Sequence, residues 1–222
     1  MSNHPRLESW VHSVWSHRGP VACLLYPLSL IYQAVSASRR RRTVANHLPV
    51  PVVVVGNIYV GGTGKTPVTI ALVRALRARG WTPGVISRGF GRSEDGVRLV
   101  TPDSDAAQVG DEPLLIARES LAPVAVGRER VKAGLELLRE HPGVNIIISD
   151  DGLQHAALAR DVELAVIGAR GLGNGWLLPA GPLREPVSRL DDVDAIILNT
   201  TTESVVESRT PRFAASSCFG AC

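Results

Sequence analysis

The sequence predicts an α/β domain built on a mostly parallel sheet, with a phosphate loop after its first strand and a membrane-associated helix in front of it. Three observations carry this. From Pro49 onward, short β-branched runs alternate with segments of helical spacing, the signature of a strand–helix–strand sheet. A glycine loop ending in Lys65-Thr66 follows the first of those strands. Between Arg18 and Arg39 no residue is charged.

Composition sets the outer limits. The chain has 222 residues, 45% hydrophobic and 20% charged, with 21 Gly and 15 Pro scattered along it. That length buries a core without disulfides or metals, and the balance excludes wholesale disorder, collagen-like and low-complexity classes. A net charge of +3 is too small to argue a nucleic-acid partner, and none is expected. Cys23, Cys218 and Cys222 make no disulfide framework and read as free thiols of a reducing compartment. Cys218 and Cys222 lack the further His or Cys that a shared metal would need.

Residues 1–45 read as a separate piece. Val21 to Val35 is mostly apolar and is followed by Arg39-Arg40-Arg41-Arg42. A signal peptide would suit the small residues Ala34, Ser36, Ala37 and Ser38, but a nucleotide-binding core follows, and that chemistry belongs in the cytosol. A spanning helix needs about 20 apolar residues, and this stretch contains Pro27, Ser29 and Gln33. A helix at the membrane surface, or shallowly inserted, accounts for Trp10, Trp15, Tyr26 and Tyr32 as interfacial aromatics and for four arginines facing anionic headgroups. Packing on the protein's own core is the alternative.

The elements then follow in order. Val52-Val53-Val54-Val55 is a strand buried on both faces. Thr66 to Arg79 is a helix with Val68, Leu72, Val73 and Leu76 on one face, ended by Gly80. Pro83–Ser87 and Pro123–Val126 are short strands, and the polar stretch from Gly91 to Gln108 is a loop. Glu129–Glu140 is a helix with Val131, Leu135 and Leu138 aligned. Val144–Ile148, Val162–Ile167 and Ala195–Leu198 complete the strands. No internal repeat is present. Residues 46–199 thus form the catalytic-type domain, and 200–222 is a Ser/Thr-rich tail without a core pattern.

Gly61-Gly62-Thr63-Gly64-Lys65-Thr66 sits where a phosphate loop must, between a strand and a helix. Glycines let backbone N–H groups turn inward onto phosphate oxygens, Lys65 adds charge on the terminal phosphates, and Thr66 offers a hydroxyl to magnesium. The helix presents its positive dipole end. The common pattern G-x-x-x-x-G-K-[ST] would place glycine where this chain has Tyr59.

The apolar run Asn145 to Ser149 leads straight into Asp150-Asp151-Gly152-Leu153-Gln154-His155. Carboxylates at the carboxyl end of a strand lie where open α/β sheets bind ligands, and one such aspartate holds or orients magnesium in phosphate-loop enzymes. Adjacent carboxylates point different ways, so one serves the metal while the other orients loop or substrate. Asp-Asp-Gly is also ordinary turn chemistry.

With these motifs the chain resembles the tetraacyldisaccharide 4'-kinase family of lipid A biosynthesis. The resemblance rests on Val53–Pro67, Ser87–Gly91, Gly110-Asp-Glu-Pro113, Pro123–Val126, Asp150–His155, Arg160–Val162 and Gly173–Glu185, and runs from the apolar N-terminal stretch to about Asn199. That family's loop also lacks the glycine replaced here by Tyr59. The resemblance implies ATP and Mg2+ as cofactors and transfer of the γ-phosphate to the 4'-hydroxyl of a tetraacyldisaccharide 1-phosphate, giving lipid IVA. It implies a lipid substrate and work at the cytoplasmic face of the bacterial inner membrane. Tyr59, Val60, Gly61, Gly62, Thr63, Gly64, Lys65 and Thr66 match the ATP loop. Asp111 matches the general base for the sugar hydroxyl, with Asp151 and His155 as the other catalytic candidates. Asp150 and Asp151 match the metal-site pair, and Thr66, Asp150 and Glu112 make the magnesium set. Arg88 and Arg128 are weaker candidates for phosphate or transition-state contacts.

Members of this family continue into a second α/β lobe supplying a histidine that pairs with the base aspartate. Nothing after Asn199 matches that lobe, so the expectation is a folded N-terminal lobe, C-terminally truncated, with weak or absent kinase activity. Two readings from other classes stand beside it. A phosphate-loop switch or metallochaperone with a protein partner would hydrolyse nucleotide regardless of the disaccharide. A non-catalytic nucleotide-binding fragment would lose ATP in Lys65→Ala and never label a lipid.

Overall fold

Four consecutive valines make β1 (Val52–Gly56), and all five of its residues are buried. The computed structural model describes residues 5–92, 95–199 and 210–215, with side chains from residue 11 onward. Ahead of β1 stand two helices, α1 (Pro5–Ser16) and α2 (Pro20–Arg42). After it come α3 (Lys65–Arg77), β2 (Pro83–Ser87), β3 (Arg98–Val100), α4 (Ala106–Val109) and α5 (Asp111–Ser120). Then follow β4 (Val124–Val126), α6 (Arg130–Glu140), β5 (Ile146–Asp150), β6 (Val162–Gly168), a 3-10 turn over Val187–Asp191, β7 (Ala195–Asn199) and β8 (Arg212–Ala214).

The strands form one sheet in the order β3-β4-β2-β5-β1-β6-β7-β8. All neighbours are parallel except β3, which runs antiparallel to β4. Val55 of β1 pairs with Asp150 of β5, so the acidic motif emerges beside the strand that feeds the phosphate loop. Period-two alternation divides the core. Val52, Val54, Ile147, Ile196 and Leu198 face one cluster, closed by Ala133 and Leu137 of α6 and by Leu158, Leu183 and Leu190. Val55, Ile148, Val166 and Ile197 face the other, closed by Val68 and Val73 of α3 and by Leu114 and Ile116 of α5.

α2 docks along one side only. Ser29 donates to the Leu177 carbonyl at 2.8 Å and accepts from the Ala180 N–H at 3.1 Å. Tyr32 donates to the Arg184 carbonyl, and Arg40 pairs with Glu185 at 2.9 Å. Away from this seam Leu24 is 80% and Ile31 60% exposed, with Leu28, Leu30 and Val35 also exposed. α2 is long and apolar enough to cross a membrane by length and composition.

Besides α5, which the sequence reading did not place, two stretches differ from the sequence expectation. The region 91–108 is not a plain loop, since it carries β3 and α4. β3 is three residues long and is held by its register on β4, a long-range pairing that local polarity conceals. The tail contains β8, parallel to β7 with Ile197 opposite Phe213. Residues 200–209 and 216–222, with Cys218 and Cys222, lie outside the described residues, as does the side chain of Trp10.

Candidate active site

The phosphate loop is built in two halves. Ile58–Val60 is fastened outward: the Arg184 N–H donates to the Ile58 carbonyl at 2.7 Å, the Val60 N–H donates to the Pro182 carbonyl at 2.9 Å, and Tyr59 bridges Leu183. This explains why the loop tolerates a tyrosine where glycine is common. Tyr59 is buried and belongs to a strand-like contact, while the tight turn is made by Gly61–Gly64. Asn57 braces that turn from below, its amide donating to the Thr63 hydroxyl at 2.9 Å and the Gly61 carbonyl at 3.3 Å. Gly64 caps α3 at φ 78°, and a Cβ there would lie 1.9 Å from Nδ2 of Asn199, so the position excludes any side chain.

Lys65 opens α3 and is buried. Its ammonium donates to Oδ1 of Asn57 at 3.4 Å and pairs with Asp151 at 3.5 Å. Asp150 ends β5 with its side chain fully enclosed. The Thr69 hydroxyl donates to one oxygen at 3.0 Å and the Ser87 hydroxyl to the other at 3.4 Å. Burial pushes the Asp150 carboxyl up to about 6; Lys65 pulls it down, and Asp151 and Glu112 add to the rise. Asp151 adopts φ 49°, a left-handed conformation that aspartate tolerates better than most residues. The two carboxylates therefore diverge. Burial works against the Asp151 charge, but Lys65 and Arg184 outweigh it and hold this carboxyl below the usual range.

Asp111 and Glu112 form the first turn of α5, and both are exposed. Glu112 is near enough to act electrostatically on Asp150. His155 is half-buried, and burial with Arg130, Arg160 and Arg88 lowers it to about 4, so it is neutral at pH 7. Arg128 pairs with Asp95 at 3.9 Å, both well exposed. The fold thus gathers Lys65, Asp150 and Asp151 directly, with Thr66 beside them in the first turn of α3. It sets Asp111 on a separate helix and His155 on the side of α2.

Three arginines and a glutamine went unread in the sequence. Arg184 pairs with Asp151 at 3.3 Å and donates to Gln154. Gln154 in turn donates to Glu185 at 2.7 Å and to the Asn57 carbonyl at 2.9 Å. Arg189 is buried and pairs with Glu163 and Glu185. Arg170 reaches the phosphate loop. The motif Pro182-Leu-Arg-Glu185 was visible, but only the long-range fold shows what Arg184 touches. A cavity of about 510 Å³ lies between α2 and the segment after Asp151, lined by Tyr32, Ser36, Leu153, His155, Leu177 and Arg184 among others.

Comparison with known proteins bears directly on this site. The family model described as tetraacyldisaccharide-1-P 4'-kinase matches residues 21–219, so the match continues past Asn199, where the resemblance was expected to stop. A tetraacyldisaccharide 4'-kinase of Dechloromonas aromatica is 56% identical over 210 residues, covering 93% of this chain and 63% of that relative. One of Acidovorax sp. strain JS42 is 59% identical over 84% of this chain and 57% of its own length. The chain therefore spans about six-tenths of the length of these relatives. The crystal structure of LpxK from Aquifex aeolicus in complex with ATP superposes with a TM-score of 0.78 at 31% identity, covering 87% of this chain and 64% of that one.

Proposed function

The chain belongs to the tetraacyldisaccharide-1-P 4'-kinase family, and from that premise we propose that it transfers the γ-phosphate of ATP to the 4'-hydroxyl of a tetraacyldisaccharide 1-phosphate at a membrane surface. The observation that carries this is the placement of Lys65, at the mouth of a glycine turn, against the acidic pair at the end of the adjacent strand. A strand–loop–helix with that lysine binds phosphates; the neighbouring carboxylates supply what phosphoryl transfer needs besides.

The roles divide as follows. The amides of Gly61–Gly64 and the Lys65 ammonium hold the β- and γ-phosphates. Asp111, exposed at the first turn of α5, takes the proton of the attacking 4'-hydroxyl. Asp151 fixes Lys65 and Arg184. His155, neutral, orients the sugar from the α2 side. The hard oxygen donors Thr66, Asp150 and Glu112 suit Mg2+, and the hydroxyls of Thr69 and Ser87 fix the Asp150 carboxylate for that use. The ion, when bound, neutralises charge on the β- and γ-oxygens.

α2 bears on where the acceptor sits. Its exposed apolar face and the exposed Arg39, Arg41 and Arg42 suit the cytoplasmic face of an anionic bilayer, and the cavity beside His155 and Arg184 lies between that helix and the acidic motif. A lipid bearing a sugar phosphate meets apolar wall and guanidinium together there.

The test is transfer of label from γ-labelled ATP to tetraacyldisaccharide 1-phosphate in detergent micelles, with the rate set against that of the Dechloromonas aromatica relative. Labelled lipid that disappears in Lys65→Ala and Asp111→Ala is the expected outcome. Hydrolysis unaffected by the lipid, with no label in it, would favour a nucleotide switch instead.

A further inference from the structure

A glycine turn that binds phosphate through its amides leaves its carbonyls needing donors of their own. At Gly62 that donor is Arg170, whose Nη2 lies 3.2 Å from the Gly62 carbonyl oxygen. Arg170 sits in the Gly168–Gly171 turn that follows β6, so the scaffold delivers it from the strand next to β1. The same guanidinium lies 5.5 Å from the centroid of the Tyr59 ring, within cation–π range. It therefore spans both halves of the loop, the outward Tyr59 segment and the glycine turn. Its Nη1 faces Nε2 of His12 on α1 at 3.1 Å, a contact in which a neutral imidazole accepts. α1 is itself anchored: Trp15 donates its indole N–H to the Pro179 carbonyl at 3.1 Å, and the Trp15 carbonyl accepts from the Asn174 N–H at 2.8 Å.

We propose that Arg170 is a positioning residue for the nucleotide, holding the Gly62 carbonyl outward and bracing Tyr59 so that the glycine-turn amides stay aimed at the phosphates, with His12 of α1 fixing the arginine's own orientation. The inference rests on the kinase reading only in taking ATP as the ligand. Physically, Asn57 and Asn199 brace Thr63 and Gly61, whereas Arg170 braces Gly62 at the exposed tip of the turn. Removing it frees the tip to turn its amides away, and ordering that tip then becomes part of the cost of binding. Arginine suits the task because one planar fork serves a carbonyl, an aromatic face and an imidazole at once. α1 is by this route tied to the phosphate loop.

The experiment is a titration of the whole chain in detergent with fluorescent ATP and ADP analogues, for wild type, Arg170→Ala, Arg170→Lys, His12→Ala and the double variant. Arg170 is exposed, so thermal melting is expected to be unchanged. Arg170→Ala is expected to weaken ATP and ADP alike by roughly tenfold, and Arg170→Lys to recover part of that loss. His12→Ala should cost a few-fold, and the double variant should be no worse than Arg170→Ala. In turnover, KM for ATP should rise while kcat and KM for the lipid hold. Wild-type affinity in Arg170→Ala overturns the proposal. A loss for ATP much larger than for ADP overturns it in favour of a direct contact with the γ-phosphate. Absence of nucleotide binding by the wild type overturns both this proposal and the ATP site itself.

Discussion

Nζ of Lys65 lies 3.5 Å from Oδ1 of Asp151, and Nη1 of Arg184 lies 3.3 Å from Oδ2 of the same carboxylate. Two cations thus share the Asp151 carboxylate, which holds the Lys65 ammonium at the mouth of the glycine turn where a phosphate would meet it. Lys65→Ala removes charge-assisted contacts worth about 1.5–3 kcal/mol each, so ATP affinity is expected to fall by roughly one hundredfold. Equilibrium titration with a fluorescent ATP analogue measures this directly. An affinity within threefold of wild type would show that the glycine turn alone holds the phosphates.

Asp150 and His155 give stability opposite dependences on pH. Folded Asp150 keeps its proton up to about 6, against an ordinary aspartate value of 3.8. Between those values the folded state binds more protons, so this group's contribution is complete at low pH and is lost as pH rises through about 6. For this enclosed group the loss is of order 3 kcal/mol. His155 is lowered from 6.5 to about 4, so the unfolded chain binds more protons in that window, and its contribution is lost as pH falls through it. Asp150→Asn is accordingly expected to raise the melting temperature at pH 8 while abolishing magnesium-dependent transfer. His155→Gln should flatten the acid limb. Melting curves from pH 4 to 8 decide both, and an Asp150→Asn variant less stable than wild type at pH 8 would contradict the burial argument.

What could be read in the sequence is what is local. Val52–Val55 as a buried strand, the glycine turn with Lys65-Thr66, and the acidic pair at the end of β5 all announce themselves within ten residues. α5 (Asp111–Ser120) has no counterpart among the elements expected from sequence. Acidic residues at the N-terminus, apolar Leu114, Ile116 and Ala117, and Arg118 in the last turn were the signal for a helix. β3 escaped because it is short and held by β4. The arginines escaped for a different reason. Arg170, Arg184 and Arg189 acquire meaning only from partners far away in the chain, such as Gly62, Asp151 and Glu163, and no spacing rule marks them.

The exposed face of α2 makes a separable prediction. Leu24 and Ile31 are 80% and 60% exposed, so glutamates there leave the Ser29, Tyr32 and Arg40 contacts intact. Burying each apolar side chain in a bilayer contributes about 1.5–3 kcal/mol. Leu24→Glu with Ile31→Glu is therefore expected to abolish co-flotation with phosphatidylglycerol vesicles, leaving ATP affinity and melting temperature unchanged. Raising salt should weaken the wild type only partly, through Arg39, Arg41 and Arg42 at about 1 kcal/mol each. Full vesicle binding by the double variant would mean that another surface faces the lipid.

Asp111 separates chemistry from binding. It stands at the start of α5, exposed and on a different element from Lys65, Asp150 and Asp151. A carboxylate that accepts the proton of an attacking hydroxyl contributes about 10²–10⁴ in rate, whereas it contributes little to holding a nucleotide that it does not touch. Asp111→Asn keeps the size and the helix start but cannot take a proton. It is expected to lower kcat by that factor with KM for ATP and melting temperature unchanged, and Asp111→Glu should retain part of the rate. Glu112→Gln, one residue on, should instead shift the magnesium concentration needed for half-maximal rate, because Glu112 acts on Asp150. Steady-state rates at varied ATP, lipid and magnesium distinguish the two. If Asp111→Asn turned over within threefold of wild type, the proton would have to leave by another group, and His155 beside the α2 cavity would be the next residue to replace.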